Sequence, residues 1–122
     1  MAFRLNVVLS SLNDPLIINL NTAYMDPYFE DMIARYTTDN LVKDGDTTYA
    51  IRVVGRGETL FFRENEKCLL CEIDAAHGVI YKKSIKIWDS TNEKMSKAEQ
   101  ERVASLILTY YKQVYNPEAV LK

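Results

Sequence analysis

The chain has few of the residues from which most catalytic and metal sites are built. Its 122 residues include one histidine and two cysteines. The single imidazole, His77, excludes a multi-histidine metal site, and it stands beside Gly78 in a segment typical of a turn. No Gly-x-Ser-x-Gly or Ser-x-x-Lys motif supplies an activated serine. We therefore expect a protein that is not an enzyme and that holds neither a metal nor a cofactor.

Long apolar runs and linker sequences are also missing. No stretch approaches the roughly 20 apolar residues that span a bilayer. Arg4 and Asn6 interrupt the apolar N-terminus, which argues against a signal peptide. Four glycines and three prolines leave little material for long linkers. We expect one cytoplasmic domain over residues 1–122, with no association with a membrane.

The two cysteines form a C-x-x-C motif at Cys68 and Cys71. Such a pair can serve zinc or redox chemistry. Zinc would need a second pair of ligands, and thioredoxin-type chemistry would place the pair at a helix N-terminus. Residues 67–74 instead have the pattern of a strand, in which residues three apart point to opposite faces. We predict two buried, free thiols.

Alternation of apolar and polar residues predicts a β meander through the middle of the chain. All four glycines lie in its turns or in the loop before it, as short strands joined by tight turns require. Residues 37–48 are polar and predict a loop. The predicted strands span residues 3–9, 16–20, 49–54, 58–63, 67–74 and 79–88.

Two segments have helical signals. Asp26 and Pro27 supply an N-cap and a first-turn proline for a helix over about 27–36. Ser96 and Glu99 match the capping box, in which serine bonds the N3 amide and glutamate reaches back, for a helix over about 97–115. That second helix is apolar around most of its circumference, so the sheet and the first helix, or a partner, must cover it. The pattern predicts an α+β fold with an antiparallel meander sheet packed by both helices.

The charge is nearly balanced in total but uneven along the chain. Fifteen basic and 17 acidic residues give a net charge of −2, which argues against direct binding of nucleic acid. Residues 26–46 hold six acidic and two basic side chains, a local charge of −4. This stretch is either a solvated helix face with its loop or a patch that steers a basic partner. Lys82, Lys83 and Lys86 indicate protection of an edge strand rather than a phosphate track.

Residues 48–115 combine short strands, Glu58 and Phe61-Phe62 near the start of one strand, and a capped helix. The last predicted strand ends in Ile85-Lys86-Ile87-Trp88-Asp89, and a polar linker follows it. This combination resembles the small cytoplasmic immunity proteins of contact-dependent growth inhibition and related polymorphic toxin systems. The resemblance implies a non-enzymatic inhibitor that binds one cognate toxin domain, commonly a nuclease, and blocks its active site.

An acidic surface suits such a partner, because nucleases are basic where they hold phosphate. We expect a basic nuclease domain as the partner, and a chain that is a monomer or a weak homodimer. Tyr36 is the expected aromatic anchor. The expected contact residues are Glu30, Asp31, Tyr36, Asp39, Asp44 and Asp46.

Two other classes of function stay open. An acidic α+β secretion chaperone would hold an effector segment as a homodimer, with the apolar C-terminal helix as its dimer face. A small enzyme would need a deep pocket that gathers tyrosine hydroxyls and carboxylates. The oligomeric state separates the first class from an inhibitor, and the presence of a pocket bears on the second.

Overall fold

A computed structural model of the chain describes residues 27–35 and 41–122. The strands predicted over 3–9 and 16–20 lie outside these residues. The described helices are α1 (Pro27–Arg35) and α2 (Lys97–Val114). The strands are β1 (Leu41–Asp44), β2 (Thr47–Val54), β3 (Thr59–Glu64), β4 (Lys67–Asp74), β5 (Val79–Ile80), β6 (Ile87–Trp88), β7 (Glu93–Lys94) and β8 (Val120–Leu121).

Six of these strands form one sheet in the order β1-β2-β3-β4-β5-β8. Strands β1 to β5 pair with one another in antiparallel fashion, as in a meander. Strand β8 then pairs with β5 in parallel. Strands β6 and β7 make a separate antiparallel pair. The predicted α+β fold, with its antiparallel meander and its two helices, is confirmed.

The central strands are apolar on both faces, and each face has its own helix. Ile51, Phe62 and Leu69 are cross-strand neighbours in the cluster that packs against α2. Phe29 and Met32 of α1 pack against the opposite face of the sheet. The residues of this face are different ones, because side chains alternate along each strand. The sheet residues under α1 are Leu41, Ala50, Val54, Phe61, Cys68 and Leu70.

Both helices lie where the sequence predicts them, to within one residue at each described end. The sheet covers the apolar side of α2, and α1 does not share this task because it lies across the sheet. The hydroxyl oxygen of Ser96 accepts a hydrogen bond from the Glu99 amide, at 3.1 Å. The Glu99 carboxylate bonds Trp88 and Arg102 instead of reaching back to Ser96. Neither helix in the described part of the chain is long and apolar enough to cross a membrane.

The prediction of a loop over residues 37–48 is wrong for residues 41–44 and 47–48. Leu41–Asp44 forms β1 and pairs with Thr47–Ala50 across a two-residue turn at Gly45 and Asp46. Gly45 has φ +63°, a left-handed conformation that glycine adopts without strain. The Gly45-Asp46 pair, with glycine at the first turn position, was therefore a hairpin signal inside a polar segment.

The single strand predicted over residues 79–88 is also wrong. Strand β5 ends at Ile80, and a short 3-10 helix occupies Lys82–Ser84. On the outer edge of β4, side chains rather than a neighbouring strand then accept the hydrogen bonds of the backbone amides. The amides of Cys68, Leu70 and Glu72 donate to Ser90, Asp89 and Ser84, at 3.0, 2.9 and 2.8 Å respectively. These three caps replace the ladder that a continuous strand would have made.

The prediction of two buried free thiols is confirmed. Cys68 lies in the apolar set under α1, and Cys71 lies on the α2 face. Burial raises the pKa of each thiol to about 12, so the reactive thiolate is scarce at neutral pH.

Chemical labelling of the two thiols can measure the opening of the two sheet faces separately. Helix α1 has 9 residues, fewer than an isolated helix needs, so its face should open before the α2 face does. We expect Cys68 in Cys71→Ala to react with a disulfide reagent at lower urea concentration than Cys71 in Cys68→Ala. Equal labelling rates at every urea concentration would show that both faces open only on global unfolding.

Candidate functional site

The described residues contain few of the histidine and cysteine side chains that hold metal ions, and these are spread over the fold. No three His, Cys, Asp or Glu side chains of these residues lie close enough to hold a metal ion. The imidazole Nδ1 of His77 lies 2.8 Å from Asp74 Oδ2 on an exposed turn. This hydrogen bond lowers the pKa of the Asp74 carboxyl. The pair stabilises the turn before β5.

Two hairpin turns lie side by side at one end of the sheet. The first joins β1 to β2 at residues 45–46, and the second joins β3 to β4 at residues 65–66. The Asn65 amide donates to the Thr48 carbonyl at 2.8 Å, and the Thr48 amide donates to Asn65 Oδ1 at 3.0 Å. Asn65 has φ +53°, which Asn tolerates better than most residues. The reciprocal bonds hold the second turn against the start of β2.

This end of the sheet presents three exposed carboxylates, Asp44, Asp46 and Glu66, which we call the acidic tip. None of the three forms an ion pair with another residue of the described ranges. Two nearby cations are already engaged: Arg63 donates to the Asn65 carbonyl, and Lys67 lies 3.2 Å from Glu93. Lys43 is exposed and lies on the opposite face of β1 from Asp44. The acidic tip is thus a set of solvated charges on an ordered backbone.

The structure brings together only part of the predicted contact set. Asp44 and Asp46 both belong to the acidic tip. Glu30 and Asp31 are exposed on α1, which covers the other face of the sheet from α2. Tyr36 and Asp39 lie outside the described residues. The predicted acids therefore do not form one continuous face in the described part of the chain.

Asp44 lies on the α2 side of the sheet. Burial raises the pKa values of Tyr49 and Tyr110, and the charge of Asp44 is among the smaller contributions that raise both further. The two tyrosine rings lie 4.8 Å apart beneath this end of the sheet. Asp44 is therefore the member of the acidic tip whose charge acts on this packed aromatic pair.

Sequence reasoning missed Glu66 as a surface partner of Asp44 and Asp46. The strands predicted over 58–63 and 67–74 leave residues 64–66 as a turn, but the sequence did not place that turn beside Asp46. In a four-strand meander the first and third turns fall at the same end. Recognition of β1 as a strand would have brought the three carboxylates together.

An arginine clamp, formed by Arg102 with Glu64 and Glu99, connects the end of β3 to α2. Arg102 bonds Glu64 through two nitrogen–oxygen contacts of 2.8 Å each, and its Nε lies 2.9 Å from Glu99 Oε1. Glu99 also accepts a 3.3 Å hydrogen bond from the Trp88 indole. The Arg102 hydrogen bonds lower the pKa values of Glu64 and Glu99. These contacts join β3, α2 and the buried Trp88.

Removal of the clamp should destabilise the fold in a pH-dependent way. Arg102→Met leaves Glu64, whose side chain is 14% exposed, without its cation, so we expect a loss of about 1–2 kcal/mol at pH 7. Carboxyl pKa values lowered by folding stabilise the fold above their ordinary range, and this stabilisation is lost as the pH falls through the lowered values.

Urea unfolding of Arg102→Met and wild type at several pH values tests this expectation. The stability difference should shrink as the pH drops below the ordinary glutamate range of about 4.3. Lys112→Met, at an exposed position of the same helix, removes one positive charge and should cost under about 0.5 kcal/mol. A pH-independent loss in Arg102→Met would show that packing, not the ion pairs, is responsible.

Comparison with known proteins adds no family to this description. No protein-family model matches the chain, and no curated protein or solved structure matches it either. The features that remain for a functional proposal are the chain's own surfaces, above all the acidic tip.

Proposed function

We propose that this protein binds and neutralises a cognate toxin domain, a basic nuclease, in the cytoplasm. The acidic tip contacts the cationic surface with which the nuclease holds phosphate. The inhibitor works by occupying that surface, without catalysis. The resemblance of residues 48–115 to immunity proteins supports the same class of function.

The main support for this proposal is that two adjacent turns bring three carboxylates to one end of the sheet. Asp44, Asp46 and Glu66 occupy adjacent turns that the Thr48–Asn65 bonds hold in a fixed relation. A basic partner then meets charges whose backbone is already ordered, so less conformational entropy is lost on binding. Charge of this kind mainly accelerates association and selects partners by sign.

The packing of α2 bears on the competing chaperone function. The five buried residues of α2 pack against the chain's own sheet and the elements around it. The apolar face that suggested a dimer interface is therefore used within one chain. A monomer that binds a folded basic domain agrees with an inhibitor, whereas an obligate dimer that binds an unfolded segment would favour the chaperone.

The gene immediately upstream supplies the first experiment. We expect it to encode a large secreted protein whose C-terminal domain is toxic when it is expressed alone. Co-expression of this chain should restore growth, and the purified pair should sediment as a 1:1 complex. A toxic domain that neither binds this chain nor is neutralised by it would contradict the proposal.

Neutralisation of the acidic tip should weaken that complex. The triple variant Asp44→Asn, Asp46→Asn, Glu66→Gln should lower affinity at least about tenfold at low salt, chiefly through slower association. The matched control is Glu58→Gln, Glu101→Gln, Glu118→Gln, which removes the same charge from three other exposed positions. Stopped-flow association rates at two ionic strengths measure the effect.

The control variant separates local contact from overall charge. Equal loss in both triple variants would show that net charge, rather than the acidic tip, attracts the partner. Glu30→Gln with Asp31→Asn tests the α1 acids in the same assay. A larger effect from this pair than from the acidic tip would move the contact surface onto α1.

A further inference from the structure

A second surface of opposite charge lies on the α1 side of the sheet. It is an open depression of about 520 Å³. Its floor includes Leu70, which also packs against the α1 cluster, and Thr59 and Glu72, which are cross-strand neighbours. Tyr81, Lys83 and Lys86 form its rim. The volume lies within the range of ordinary ligand sites, although the depression is open to solvent.

The rim is held in place by hydrogen bonds. Ser84 Oγ accepts from the Glu72 amide at 2.8 Å and donates to the Tyr81 carbonyl at 2.6 Å. The Ile85 amide donates to the Lys82 carbonyl at 3.0 Å and closes the 3-10 turn. The turn that bears Lys83 is therefore hydrogen-bonded to β4, and this bond fixes one side of the rim.

The lysines of this turn differ in their partners. Lys82 lies outside the depression and pairs with Glu101 at 2.9 Å. Lys83 and Lys86 are exposed and make no ion pair with any residue that the structure describes. Tyr81 beside them is 39% exposed, a large value for an aromatic side chain. The depression thus combines two cations without an ion pair among the described residues, an exposed aromatic ring and the apolar side chain of Leu70.

These groups match an acidic peptide better than a nucleic acid. A phosphate backbone is bound by many cations, whereas this depression has two, and its floor includes the carboxylate of Glu72. An extended peptide can place carboxylates on Lys83 and Lys86 and an apolar side chain between Leu70 and Tyr81. Charge complementarity and apolar contact with Leu70 and Tyr81 then both contribute to binding.

We propose that this depression docks an extended acidic segment of a partner protein that also carries apolar side chains. This surface is separate from the acidic tip and of opposite sign, so it does not depend on the function proposed above. A partner that used both surfaces would need a basic and an acidic region. A requirement for both regions would make the chain more selective among partners.

An octapeptide of alternating Asp and Leu is the probe, titrated at low ionic strength into isotopically labelled full-length protein. Backbone amide signals of Leu70, Glu72 and residues 81–86 should shift. Lys83→Gln with Lys86→Gln should weaken binding at least tenfold. The matched control, Lys97→Gln with Lys112→Gln, removes two exposed lysines of α2 and should bind like wild type.

Three outcomes would overturn this proposal. They are the absence of shifts at millimolar peptide, shifts confined to other surfaces, and equal weakening in the two double variants. An octamer of single-stranded RNA that shifts the same amides at lower concentration would assign the depression to nucleic acid instead. An octapeptide of alternating Lys and Leu should leave these signals unchanged.

Discussion

The central strands are apolar on both faces, and this constraint determines where everything else can lie. Leu60, Phe62 and Leu69 must be covered on one side, and Phe61 and Cys68 on the other. Helix α2 covers the first face and α1 packs on the second. Because removal of apolar surface from water is the main favourable contribution to folding, neither face can serve as a large open surface without cost.

Charged side chains consequently lie at the ends and edges of the sheet. At one end, Asp44, Asp46 and Glu66 stand on adjacent turns. Along the outer edge of β4, side chains of the segment that follows β5 satisfy the strand amides, and the same segment presents Lys83 and Lys86. The two surfaces proposed for binding arise from one cause, since a covered sheet leaves turns and capped edges as the places where charges gather.

The sequence was most informative where structure is decided locally. Strand β4 was predicted at its observed bounds and α2 to within a residue, because a short apolar run between turns in one and a serine cap in the other act through near neighbours. Strand β1 escaped prediction because its hairpin is polar, although its partner strand follows after a two-residue turn. The break after Ile80 escaped prediction because it depends on partners farther along the chain. For the same reason Asp46 could be placed in an exposed turn but not beside Glu66, which requires the Thr48–Asn65 contact across two hairpins.

Amide hydrogen exchange of the isolated protein and of its complex with the toxin domain encoded upstream tests the central claim most directly. Binding at the acidic tip predicts new protection in residues 44–48 and 64–67, with little change in the exposed half of α2. Protection confined to the exposed half of α2, with unchanged exchange in both turns, would contradict the claim that this end of the sheet is the binding surface.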